Sequence, residues 1–141
     1  MTPSATLPAS ERPAPAAIDT SSSEFQAQAL QWYSRLADLW SLSLREAADL
    51  ADMSKDSFKR VRRGSFAGRL TRDQMLRLSA LIGIFKSLEI NFPGPLAREW
   101  VTRPNDGVLF GGKRPVDTMI EKGLPLILRV RSHLDALRGG A

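Results

Sequence analysis

Ser43–Gly64 reads SLREAADLADMSKDSFKRVRRG, and its serines, its glycine and Asp52 decide the architecture. Ser43 precedes Glu46 by three residues, the spacing of a capping box. In that arrangement the hydroxyl and the carboxylate each accept from a backbone N–H that the first helical turn leaves unpaired. A helix is therefore expected from Ser43 to about Ala51. Asp52 tolerates a left-handed backbone better than most residues, and Ser54 is a fresh N-cap. A second helix is then expected from about Lys55 to Arg63, stopped by Gly64.

This short helix, tight turn and short helix over Leu44 to Gly64 resemble a helix-turn-helix. Small Ala48 stands at the helix contact, Asp52 at the turn position usually given to glycine, apolar Met53 after it, and Phe58 and Val61 as inward anchors. With those anchors inward, a step of 100° per residue sends Lys59, Arg60 and Arg63 to the opposite side, with Lys55 and Arg62 on its flank. Such a cationic face suits the DNA major groove, where it neutralises phosphates or reads guanine edges. An ordinary solvated basic face on a helical hairpin would look the same from sequence alone.

The surrounding chain is helical as well. Phe25, Ala29, Trp32, Leu36, Leu39 and Trp40 recur near a 3.6-residue period and predict a preceding helix with one apolar face. Thr71-Arg72-Asp73-Gln74 is another capping box, and the run from Met75 to Leu88 is apolar around almost the whole circumference. A helix of that kind is covered on several sides. It is either the central helix of the monomer or a contact in a homodimer, which would suit a reader of two half-sites. Pro93-Gly94-Pro95 ends it. A short helix from Leu96 to about Thr102 follows, with Trp100 and Val101 on its apolar side. Pro115 then opens another, carrying Val116, Met119 and Ile120 inward to Gly123, and a last helix starts near Pro125 with Leu126, Ile127, Val130, Leu134 and Leu137 inward. The fold class expected is all-α.

Composition sets the outer limits. The 141 residues are 43% hydrophobic and carry a net charge of +5, enough for a real core in one ordinary or two very small domains. No apolar run reaches the roughly 18 residues of a membrane span, and Met1-Thr2-Pro3-Ser4 lacks a secretion signature, so a cytoplasmic protein is expected. There is no cysteine and His133 is the only histidine, which leaves no thiolate or imidazole cluster; no metal and no cofactor are expected. Residues 1–24 draw 17 members from Pro, Ser, Ala and Thr and are expected to form a disordered tail. The folded body keeps 19 basic residues against 12 acidic, and the stretch Lys55–Arg77 alone holds eight cations against two acids. The organisation expected is a tail over 1–24, a DNA-binding domain over 25–92 and a second module over 93–141.

That module contains the break RPNDGVLFGGKRP, Arg103–Pro115. Pro104 and Pro115 fix its ends, its glycines permit unusual backbone angles, and Asn105 can bond its own backbone in a turn. Phe110 is its apolar plug, set either against Trp100 or against a partner. Gly111-Gly112-Lys113 lacks the following Ser/Thr and the preceding strand of a phosphate-binding loop. His133, beside the apolar stripe of the last helix and close to Asp135 in sequence, reads as a plain surface or half-buried histidine. No active site is legible, and the protein is not expected to be an enzyme.

The order Trp100, Pro104-Asn105, Phe110 before Gly111-Gly112, Pro115, Gly123 and a last helix ending in Arg138-Gly139-Gly140 is similar to the toxin-binding domain of the Xre/MbcA/ParS antitoxins. The likeness spans about Phe25 to Gly140 and departs from the family pattern at Asp106-Gly107-Val108-Leu109. The resemblance implies the antitoxin of a type II toxin–antitoxin system. It would neutralise a RES-domain toxin that degrades NAD, and repress its own operon by binding operator DNA. It further implies toxin contacts through Trp100, Asn105, Phe110, Arg131, Leu134, Arg138, Gly139 and Gly140, and DNA contacts through Lys55, Lys59, Arg60, Arg62 and Arg63. A stand-alone DNA-binding regulator with no toxin partner is the alternative.

Overall fold

The computed structural model of the chain describes residues 22–138, and the elements in that span are helices. Helix α1 runs Ser23–Leu39, α2 Leu44–Leu50, α3 Lys55–Arg63 and α4 Arg72–Asn91. Helix α5, Gly94–Glu99, passes into a 3₁₀ turn at Trp100–Thr102, and α6, Pro115–Lys122, precedes α7, Leu124–Arg138. The expected tail lies largely outside the described residues, but its inner edge does not. Ser22 Oγ accepts from Phe25 N at 3.1 Å and caps α1, which begins at Ser23 rather than at Phe25.

Local polar chemistry fixes the two helices of the motif. Ser43 Oγ accepts from Glu46 N at 3.1 Å, and Glu46 Oε1 accepts from Ser43 N at 2.9 Å, closing the capping box. Asp52 takes the left-handed backbone, at φ 55°, and Met53 N returns to Ala48 O at 2.9 Å. Ser54 Oγ caps α3 by accepting from Ser57 N at 3.0 Å, and Gly64, at φ 73°, ends it. The turn is braced from α4. Gln74 Oε1 accepts from Thr71 N at 2.9 Å while its Nε2 donates to Asp52 O at 2.8 Å, so one side chain caps α4 and holds the turn.

Helix α1 buries Ala29, Leu36 and Trp40 of the face expected, but that face is rotated away from Trp32 and Leu39. Ala29, Leu30, Tyr33, Leu36, Ala37 and Trp40 are buried, whereas Trp32 is 57% exposed and Leu39 36%. Tyr33 is the centre of the buried face, and Trp32, one step of about 100° away, points past it. The Tyr33 hydroxyl donates to Ala47 O at 2.6 Å and its ring stacks on Phe58 at 5.7 Å, joining α1 to both helices of the motif. Burial pushes the Tyr33 phenol well above its ordinary pKa, with Arg62 and Arg77 opposing weakly, so the group stays a donor.

Helix α4 is central. Its most extensive packing is against α7, and it also meets α1 and α5. Ser87 Oγ donates to Asp135 Oδ1 at 2.6 Å and Asn91 Nδ2 to Leu134 O at 3.3 Å, pinning α7 along it. The buried residues form one continuous cluster from Ala29 to Leu134, so the segments 25–92 and 93–141 share a core. In that second segment α5 starts two residues before Leu96, at Gly94, and Trp100 and Val101 belong to the 3₁₀ turn. Leu126, Ile127, Val130 and Leu134 are buried as expected, but Leu137 is 53% exposed, because α7 has run past the helices that cover its earlier turns.

Candidate nucleic-acid and partner-protein surfaces

Two outward surfaces of opposite chemistry lie on this frame. The first is α3. Phe58 and Val61 are its buried residues, and Lys55, Lys59, Arg60, Arg62 and Arg63 are all exposed. Arg62 is partly committed within the chain: its guanidinium sits 3.6 Å from Asp38 Oδ1 and 5.3 Å from the centre of the Phe58 ring. Lys55, Lys59, Arg60 and Arg63 form no ion pair among the described residues and are available to phosphates.

The second surface is built around the glycine-rich break. Asn105 N donates to Lys113 O at 3.0 Å and Gly112 N to Asn105 O at 2.8 Å, a reciprocal pair that closes the loop at its neck. Asn105 Oδ1 also accepts from Gly107 N at 2.8 Å, the turn that its short amide favours. Gly111 and Gly112 take φ of 56° and 87°, angles that a side chain resists. Phe110 is 5% exposed and meets Trp100 edge to face at 5.5 Å, so the plug is set inside the module.

Between the loop and α7 lies a groove of about 790 Å³. Phe92, Trp100, Val108, Leu109, Leu128, Leu134 and Leu137 give it an apolar lining, with Asn105, Arg129, Ser132 and His133 at polar positions. Trp100, Asn105, Phe110 and Leu134 are thus brought together. Arg131 is not. It points to the other side of α7, its Nη1 donating to Ser79 O at 3.3 Å and its Nε 3.6 Å from Asp135. A Cβ on Gly83 would fall 2.6 Å from that guanidinium, so Gly83 is what lets it cross α4. Arg138 is the last residue of α7, and Gly139 and Gly140 lie outside the described residues. Val108, Leu128 and Arg129 also line the groove without being among the expected contacts, and Leu137, expected to face inward, lines it too. Leu128 and Val108 carried a faint signal, being large apolar residues at positions that the inward periodicity does not use.

The two surfaces are joined by Arg114, the residue before α6. Its Nη2 donates to Glu46 Oε2 at 2.7 Å, and Nη2 and Nε donate to the two Asp117 oxygens at 2.8 Å each. Hydrogen bonds to Asp117 and then Glu46 raise the Arg114 pKa further above its ordinary value. The Arg114 bonds outweigh burial and hold the Asp117 carboxyl below its usual range. Burial alone would raise Glu46, but the Ser43 N–H and then Arg114 overcome it and lower that carboxyl as well. One carboxylate, Glu46, therefore caps the first helix of the motif and anchors the start of α6.

Residues 13–83 match the family described as the antitoxin Xre-like helix-turn-helix domain, and residues 87–140 match the antitoxin Xre/MbcA/ParS C-terminal toxin-binding domain. The chain belongs to the Xre/MbcA/ParS antitoxin family. The first match holds α3 and its cations, and the second holds the loop, the groove and α7. The antitoxin is also 36% identical over 113 residues to a Sinorhizobium fredii (strain NBRC 101917 / NGR234) chain described as "Uncharacterized protein y4oB", an alignment covering 79% of this chain and 84% of that one. No solved structure matches it. Its role is that of the antitoxin in a toxin–antitoxin pair, with a toxin-binding module and a DNA-binding fold in one chain. No helix among the described residues is long and apolar enough to cross a membrane.

Proposed function

We propose that this antitoxin neutralises a RES-type, NAD-degrading toxin by direct binding, and that as a cytoplasmic homodimer it represses its own operon through α3. The observation that carries the first half is the apolar groove. Val108, Leu128 and Leu137 are exposed there at 101%, 42% and 53%, in the segment matched to the toxin-binding domain. Large apolar side chains gathered on one surface mark a protein contact. Helix α7 leads from the groove to Arg138, and the two glycines that follow it in sequence are small enough to enter a narrow substrate opening. The second half rests on the cations of α3, which form no ion pair among the described residues and suit a polyanion.

Two variants test the division. A chain ending at Leu137 keeps the buried α7 anchors and should bind operator DNA as the full chain does, yet protect cells poorly against co-expressed toxin. Leu128→Asp, in the groove, should lose toxin binding in a pull-down while circular dichroism and DNA affinity stay unchanged. Full protection by the truncation together with failure of Leu128→Asp would move the blocking element from the terminus to the groove. A protein that binds DNA but no product of the adjacent gene would be the stand-alone regulator instead.

A further inference from the structure

Among the exposed residues of α3, one is not a cation. Asp56 lies in the first turn, and no described residue forms an ion pair with it. Its direction follows from the burial of Phe58 and Val61. With those two facing the core, 100° per residue places Asp56 and Arg63 within roughly 10° of straight outward, and Lys59 and Arg60 about 50° to either side. Asp56 therefore stands on the centreline of the helix at its N-terminal end, with cations flanking it.

A carboxylate at the start of a helix also favours the helix dipole, which would explain an acid here with no partner in mind. Its position is informative nonetheless. When a helix enters the major groove, its flanks meet the phosphate walls, and the centreline of its first turns meets base edges. On a flank, a carboxylate would repel phosphate. On the centreline it only accepts, so it must find a donor. The groove offers two, the amino groups of cytosine N4 and adenine N6. Adenine sets its N7 lone pair beside N6, where it opposes a carboxylate; cytosine has only C5–H beside N4.

We propose that Asp56 reads a cytosine, through the N4 amino group, at one G·C pair in each operator half-site. This rests on the DNA-binding reading of α3 given above. The test is selection of binding sites from a randomised duplex pool with the full chain, Asp56→Ala and Asp56→Asn, each checked for folding by its thermal transition. The wild-type consensus should hold a cytosine at one position, and changing it should weaken binding about tenfold or more, within the range for loss of one good base contact. Asp56→Ala should lose the preference at that position alone, and Asp56→Asn should move it toward adenine, whose N6 and N7 suit an amide. If Asp56→Ala binds every sequence more tightly with its consensus unchanged, Asp56 faces the backbone and the assignment falls. If the wild-type chain enriches no sequence at all, the DNA reading beneath it falls too.

Discussion

Helix α3 and the groove beside α7 are the two outward surfaces of the antitoxin, and they differ in what would defeat them. The first presents four cations that form no ion pair among the described residues, on a helix with only two buried residues. The second presents Val108, Leu128 and Leu137 over Trp100 and Phe92. Contacts made by the first depend on ion release and weaken steeply with salt. Contacts made by the second depend on removing apolar area from water and do not. Chemistry therefore separates the two partners, while a shared core holds both surfaces in register.

The largest expected effect tests that shared core. Phe58 is fully buried against Tyr33. Phe58→Ala should cost about 3–5 kcal/mol. Because one cluster spans both segments, denaturant unfolding of the variant should remain a single transition, lowering DNA and toxin binding together. Two separate transitions would show two independent units.

Next in size is the charge of α3. Replacing Lys59, Arg60 and Arg63 together with Ala should weaken operator binding more than tenfold at moderate salt and lower the salt slope by roughly one unit per lost phosphate contact. Toxin binding should not change, and in the wild-type chain it should survive salt concentrations that release DNA. An unchanged slope would mean that α3 merely faces water.

A smaller effect is expected at the link between the surfaces. Arg114→Met should cost about 1–2 kcal/mol at neutral pH, because the side chains are partly exposed but make several charged hydrogen bonds. The loss should depend on pH with a definite sign. The Glu46 and Asp117 carboxyls are lowered in the folded state, so their contribution is present above the ordinary carboxylate range and disappears as pH falls through the lowered values. Melting curves of wild type and variant should therefore converge in acid. A gap that stayed constant to low pH would mean that Arg114 acts by packing alone.

The smallest effect lies at the beginning of α1. Removing residues 1–21 should leave the thermal midpoint nearly unchanged, whereas removing two more takes away the Ser22 cap and should cost about 1 kcal/mol. Equal midpoints for the two truncations would mean that Ser22 contributes nothing.

The legibility of the sequence followed the range of the interactions. Ser43, Ser54, Thr71, Asp52 and Gly64 act on backbone within a few residues, and their helices and turns begin and end as their chemistry requires. Trp32 and Leu137 were misread as inward, since a period of 3.6 residues reveals a stripe but not whether another helix arrives to cover it. That Arg131 lies across α4, away from the groove, has no local signal either, since nothing nearby in sequence indicates the gap at Gly83 that receives it. The bond from Arg114 to Glu46 joins residues 68 apart, beyond any local signal. The groove is of the same kind: it exists only once α7 lies along α4 and the loop closes beside them.

The dependence of α4 on α7 also sets what a cut between them would do. A protease that cuts near Pro93 and strips away the following helices removes the partners of Ser87 and Asn91 and uncovers the side of α4 that packs against α7. Because one core cluster spans both segments, the DNA-facing and partner-facing surfaces should be lost together rather than one at a time.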